Sequence, residues 1–317
     1  MRLTNINVHG IVLEVRHIAS PSSAHAPIVF LHEGLGSVAM WRDWPAEVCR
    51  ATGRAGWVYS RRGFGQSDGI ADVRGEPSTR NGLRCGRLAP DYMHDEAWTT
   101  LPTLLQQLQI ERPVLLGHSD GASIALLHAS RFPVQACVVM APHVMVEDIT
   151  LRAIAQAREA FEQGDLRSRL ARYHANADCA FWQWNDAWLN PAFRDFDIRD
   201  NCRHINAPVL AIQGLDDPYG GMAQIEQIKG RIQYMDSRTD YATITVDLRE
   251  TKDGGSGETA GQEINWGFVD SLKYAGWLAV QSVNFVIVSL GIIIPVLLIG
   301  LVVFLLAYRL VRRLRNR

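Results

Sequence analysis

Short, nearly continuous apolar runs bounded by turn residues recur through the first two thirds of the chain, at Ile28–Leu31, Trp57–Tyr59, Val114–Leu116, Ala136–Met140 and Val209–Ile212. Helical patterns fill most of the gaps between them. Runs of this length that alternate with helices predict an α/β fold whose parallel sheet is covered on both faces. The opening segment, Leu3 to His17, is interrupted at His9-Gly10 and predicts an antiparallel hairpin on the sheet edge. From about Thr150 to Asn206 the gap is too long for one crossover and carries Phe161, Tyr173, Phe181, Trp182, Trp184, Trp188, Phe193 and Phe196. It predicts a helical lid. These aromatics either fill the lid's own core or line a substrate pocket, and the pattern leaves both readings open.

The pattern changes after Gly221. Ile225, Ile228, Ile232 and Met235 repeat with 3,4,3 spacing and predict a short coiled-coil-like helix. In Asp240 to Glu250 apolar and polar residues alternate, which predicts a strand with one apolar face. A Gly/Ser/Thr-rich linker, Thr251 to Gly261, follows. Ala275 to Tyr308 contains no charged residue and is long enough to predict a transmembrane helix. The expected organisation is therefore a first domain over 1–221 with its lid at about 150–206, and a helix and strand of a different character over 222–250. A linker and juxtamembrane segment over 251–274, a membrane segment over 275–308 and a basic tail over 309–317 complete it.

Composition refines this picture. The chain has 317 residues, 47% hydrophobic and 21% charged, enough for one sizeable core with an appendage. A formal net charge of -1 gives no electrostatic case for nucleic acid, although five arginines crowd the last nine residues. The five cysteines, Cys49, Cys85, Cys137, Cys179 and Cys202, are odd in number and include no C-x-x-C pair, so neither a disulfide framework nor a zinc site is expected. No export signal is visible in MRLTNINVHGIVLEVRH, which places the first domain in the cytoplasm. The terminal arginines, by the positive-inside rule, place everything before the membrane helix outside. The two halves disagree on location.

The chemistry centres on Gly117-His118-Ser119-Asp120-Gly121, which follows an apolar run and opens the helical pattern ASIALLHAS. A G-x-S-x-G between strand and helix makes a turn so tight that only small residues fit beside the serine, whose Oγ is lifted clear of the sheet. Leu31-His32-Glu33-Gly34-Leu35-Gly36 follows the first central strand, where backbone N–H groups of Gly34 or Glu33, with that of Asp120, would form an oxyanion hole. Arg62-Gly63-Phe64-Gly65-Gln66-Ser67 is a turn of the same style with a structural role. An acid is expected after Val209–Ile212. Gln213-Gly214-Leu215-Asp216-Asp217-Pro218 offers two, of which Asp217 is preferred over Asp216.

LHEGLG, YSRRGFGQSD, GHSDG and IQGLDDPYG, in that order with a lid before the last, resemble the α/β-hydrolase superfamily over about Leu3 to Gly221. Lidded esterases and carbon–carbon bond hydrolases are the most similar members. The resemblance implies a Ser…Asp…His order with Ser119 as nucleophile and Asp217 as acid, no metal or other cofactor, and a small-molecule ester, thioester or vinylogous diketone as substrate. It also implies a histidine downstream of the acid, and here the chain departs from it. All ten histidines precede Asp217. The expectation is little or no turnover, with His143 and His32 the candidates for a relocated base but expected rather in lid contact and loop hydrogen bonding, and a sheet that lacks its last strand and helix, leaving an open edge.

The segment from Ala223 to Arg317 resembles an uncharacterised bacterial family of membrane-anchored proteins, a domain of unknown function. That resemblance implies a lipid bilayer as partner and no catalytic residue. The alternatives to a hydrolase are accordingly a membrane-anchored, non-catalytic protein and a chimera of two unrelated genes. Residues 222–228 fit either parent.

Overall fold

The computed structural model describes residues 2–20 and 25–228, all within the first of the two units into which the chain divides, residues 1–243 and 244–317. The strand expected at 240–250, the linker, the membrane segment and the basic tail lie outside the described residues.

The apolar runs form strands where the pattern places them. β1 (Arg2–Val8) and β2 (Ile11–Ile18) make the antiparallel hairpin, turning at His9-Gly10. β3 (Ile28–Leu31) and β4 (Gly56–Tyr59) follow. β5 (Ser78–Arg80) and β6 (Leu83–Cys85) form a separate small hairpin that the apolar pattern does not signal, because its residues are mostly polar. β7 (Val114–His118), β8 (Ala136–Met140) and β9 (Val209–Ile212) complete a seven-stranded sheet in the order β1-β2-β4-β3-β7-β8-β9. β2 runs antiparallel to β4, and from β4 to β9 all neighbours are parallel.

The two-residue period of the central strands sends Val29, Leu31, Leu115, Cys137 and Val139 into one apolar cluster and Ile28, Phe30, Val114, Leu116 and Val138 into another. Both faces are thereby covered. α1 (Trp44–Thr52) packs against the smaller cluster through Cys49. α2 (Tyr92–Asp95), a π-turn (Glu96–Thr100) and α3 (Leu101–Gln107) form one continuous helical run whose Met93, Ala97, Leu101 and Leu104 enter the larger cluster. α4 (Asp120–Ala129), which begins directly after β7 and one residue, is buried along its whole length. Fully burying each large aliphatic side chain contributes about 1.5–3 kcal/mol, so these layers fix the framework on which the loops are mounted.

The lid consists of α5 (Asp148–Gln163), α6 (Leu166–Leu170), α7 (Ala177–Trp188), a 3₁₀ turn (Pro191–Asp195) and α8 (Arg199–Cys202), close to its expected limits. Its aromatics mainly meet one another: Phe161 stacks on Phe181, and Phe193 stacks on Phe196 and touches Trp188. Among the described residues no helix is long and apolar enough to cross a membrane.

Residues 223–228 are helical, and they pack into this unit. Ile225 and Ile228 join the larger apolar cluster. Gln224 is 0% exposed, and its amide oxygen accepts from the backbone N–H groups of Val144 (2.7 Å) and Met145 (3.3 Å). Its nitrogen donates to the Met145 carbonyl (3.1 Å) and to Glu147 (2.6 Å). Among the described residues β9 is the last strand, paired on one side only with β8, and Leu210 on it is 51% exposed.

Candidate active site

Chain order reverses between β3 and β7, which lead to β4 on one side and β8 on the other. In open parallel sheets the crevice at the carboxyl ends of such strands is where ligands bind. Both glycine-rich segments singled out from the sequence emerge there: Glu33-Gly34 after β3 and Ser119 after β7.

Ser119 has φ 51° and ψ -118°, an uncommon conformation for a non-glycine residue. Backbone held this way costs about 1–3 kcal/mol and persists only when its surroundings enforce it. They do so here. A Cβ on Gly117 would run into the Gly121 carbonyl, and one on Gly121 would run into the Leu31 carbonyl. Ser119 N–H donates to the Met140 carbonyl (2.9 Å), and its own carbonyl accepts from Ala122 N–H (2.9 Å) as α4 begins. The turn therefore presents the serine at the first residue before a buried helix, where unpaired N–H groups favour developing negative charge.

Asp120 is the first residue of α4, and its side chain is buried. It accepts hydrogen bonds from Tyr92 O–H (2.6 Å) and Trp188 Nε1–H (3.2 Å), with Arg61 Nη1 at 3.7 Å. Burial, then the Asp120 charge, push the Tyr92 hydroxyl well above its ordinary range, so it stays a donor. These three partners come from a loop, a helix and the lid. Sequence spacing gives no sign of them, since they meet only through tertiary packing.

The loop after β3 is held from both sides. A Cβ on Gly34 would strike the Trp184 indole of the lid. Arg61 Nη2–H donates to the Glu33 carbonyl (3.0 Å). The Glu33 carboxylate faces His118 Nδ1 at 3.6 Å. Burial alone would raise the Glu33 carboxyl, but its contact with His118, aided by Arg61, outweighs this and holds it below the usual carboxylate value.

The histidines differ in what their ring nitrogens already do. His32 Nδ1–H donates to the Glu33 carbonyl (2.7 Å) while Nε2 accepts from Arg61 N–H (3.0 Å). His174, on the lid between α6 and α7, accepts from Gly65 N–H at Nδ1 and donates to the Leu35 carbonyl from Nε2, both at 2.9 Å. Neither ring has a nitrogen left for a proton from Ser119. His143 is different. Its Nδ1 is buried without a hydrogen-bond partner, its ring stands edge-on to Trp188 at 5.0 Å, and it adjoins Gly220. Burial, against the pull of Asp120, Asp217 and Glu147, lowers its pKa.

Asp217 follows β9 and is half-buried, whereas Asp216 is exposed. Its carboxylate accepts from Gln213 Nε2–H (3.0 Å) and Tyr219 N–H (2.8 Å). No hydrogen bond among the described residues joins Asp217, His143 and Ser119 to one another. No group of three or more His, Cys, Asp or Glu among the described residues is arranged to hold a metal ion, and all five cysteines are unbridged.

This geometry agrees with comparisons to known proteins. In solved structures the same fold occurs in the enol-lactonase of Burkholderia xenovorans LB400 (17% identity, TM-score 0.53, 72% of this chain and 87% of that one). It occurs in a carboxylesterase of the ammonia-oxidizing thaumarchaeon Nitrososphaera gargenis (17%, 0.53, 73% and 86%). An alpha/beta hydrolase enzyme from a Medee basin deep-sea metagenome library is similar at 14% identity and TM-score 0.53, over 72% of this chain and 85% of that one. No curated protein matches the chain. Residues 222–309 match a domain of unknown function (DUF4349), so residues 222–255 are shared between that match and a second, longer one. The longer match, to the alpha/beta hydrolase family, spans residues 28–255, more than half of the sequence, and the chain belongs to that family.

Proposed function

We propose that the chain is a serine hydrolase in which Ser119 attacks the carbonyl of an ester, lactone, thioester or activated carbon–carbon bond. Asp120 N–H, with Gly34 or Glu33 N–H, receives the oxyanion, and Asp217 serves as the acid of the triad. The observation that carries this reading is the enforced φ of Ser119 between a buried strand and a buried helix, opposite the Glu33-Gly34 loop. Similar folds bearing the names enol-lactonase and carboxylesterase add to it.

Turnover is impaired, because no histidine follows Asp217 in the sequence. Without a base the hydroxyl stays protonated; in proteases of the same chemistry this loss removes about a million-fold in turnover, and binding with the oxyanion hole leaves roughly a thousand-fold over water. His143 has a free ring nitrogen but no bond to Ser119, so proton transfer through it is slow. Treating the full chain with a fluorophosphonate probe tests the reading: slow labelling that vanishes in Ser119→Ala is expected. Absence of label in folded protein, or label that survives Ser119→Ala, overturns it.

A second reading, a membrane-tethered module that binds without turnover, draws on the DUF4349 match and the uncharged stretch 275–308. It predicts recovery with membranes after alkaline washing and ligand binding that survives Ser119→Ala. A chimeric origin predicts that resequencing across the codons for 214–245 finds two separate loci.

A further inference from the structure

A cavity of about 360 Å³ lies beside the site, between the β1–β2 turn, the loop after β4, the α2–π-turn run and lid helix α7. Much of its wall is apolar, including Ile11, Leu13, Phe64, Ile70 and Leu88. It adjoins the proposed oxyanion loop through two shared residues. Trp184 lines it and presses on Gly34, and Arg61 lines it while holding the Glu33 carbonyl.

Its polar fittings are one-sided. Arg61 is 5% exposed, and its Nε and Nη1 have no hydrogen-bond partner; Gln183 is 2% exposed, and its Nε2 has none either. All three are donors. Buried donors without partners are rare enough that each calls for an explanation, and a ligand oxygen is one. Arg62 also lines the cavity, half-buried. Its Nε–H donates to the Gly69 carbonyl (3.3 Å), and no carboxylate among the described residues pairs with it.

The acidic groups on the wall do not offset these charges fully. Asp95 is taken by Arg84 at 2.8 Å, and Glu96 accepts the Tyr59 hydroxyl at 2.7 Å. Burial raises the Glu96 carboxyl, which further weakens it as a counter-charge. Asp120, at 3.7 Å, partly balances Arg61, and Arg62 feels the Asp68 charge but forms no ion pair among the described residues.

We propose that this cavity binds a small amphipathic carboxylate, its apolar body against Phe64, Ile70 and Trp184 and its oxygens satisfied by Arg61, Arg62 and Gln183. An acceptor-only head group suits the three unpartnered donors of Arg61 and Gln183, and a planar carboxylate suits a guanidinium. Resting on the reading of Ser119 as nucleophile, the cavity is the part of the substrate pocket that holds an acid group, so the preferred substrate is an ester or lactone carrying a free carboxylate.

The test compares 4-phenylbutyrate with 4-phenylbutanamide, titrated calorimetrically into the full chain in dodecyl maltoside. The carboxylate is expected to bind at least tenfold more tightly than the amide. Arg62→Met, with an unchanged unfolding temperature, is expected to erase that preference, and Gln183→Leu to weaken carboxylate binding several-fold should Arg62→Met fail to fold. Equal affinity for the two probes, no binding of either, or binding indifferent to both substitutions overturns the proposal. The link to catalysis is read separately: 4-phenylbutyrate should slow fluorophosphonate labelling of Ser119. Binding without such slowing overturns the substrate assignment alone, and binding in a chain that takes no label at all marks failure of the nucleophile reading with the cavity proposal intact.

Discussion

The two sides of the site are built to different standards. On the β3–β7 side, Ser119 and the Glu33-Gly34 loop are fixed by buried backbone, by glycines whose Cβ positions are already occupied, and by the Tyr92, Trp188 and Arg61 contacts to Asp120. On the β9 side, Asp217 sits in a turn flanked by exposed residues, Leu215 among them at 83%, and after a strand with one neighbour among the described residues. The proposed nucleophile is thus over-determined, while the proposed acid rests on a thinly supported turn. The division follows sheet position, since central strands are covered on both faces and edge strands are not.

The contrast can be broken or sharpened by substitution, starting with the largest effect. Ser119→Ala should remove fluorophosphonate labelling altogether, while Asp217→Asn should change the rate only modestly, because no hydrogen bond among the described residues links Asp217 to Ser119 through a histidine; labelling rates under matched conditions check both. Leu115→Ala, in the fully buried β7, should lower unfolding free energy by about 2–5 kcal/mol in urea denaturation. Acid should act on the same side. Burial, opposed by a bond to the Ala97 carbonyl, lowers His128 in α4 to about 4, below its ordinary value of 6.5.

With its folded pKa depressed, the neutral ring favours the fold. That contribution is complete above about pH 6.5, declines as pH falls and is gone below about pH 4, a span of about 3 kcal/mol. Unfolding measured across this range should lose less stability in His128→Gln. Gln224→Ala should cost about 1–3 kcal/mol by leaving the Val144 N–H and its neighbours unpaired. Leu210→Thr, on the exposed part of β9, should change stability by no more than about 0.5 kcal/mol.

The sequence foretold the well-built side better than its reasons. Five short apolar runs located the parallel strands because strands buried on both faces need nearly continuous apolar residues, and Gly117 and Gly121 marked the turn because their neighbours leave no room. The Asp120 contacts were illegible, since Tyr92 and Trp188 lie 28 and 68 residues away and meet it only in the folded chain. The hairpin β5–β6 carried no apolar alternation to announce it. Gln224 shows the same limit in reverse. Its segment reads as the start of something new, yet its amide is matched to Val144, Met145 and Glu147, so the hydrolase unit continues at least to Ile228.

His174 bridges Gly65 and Leu35 from the junction of α6 and α7, using both ring nitrogens. Lifting that end of the lid breaks both of these bonds together with the one from Ala175 N–H to the Gly65 carbonyl (2.8 Å), each worth about 1 kcal/mol net. The junction works as a latch. A ring protonated in acid could not accept from Gly65 N–H, so acid loosens this latch.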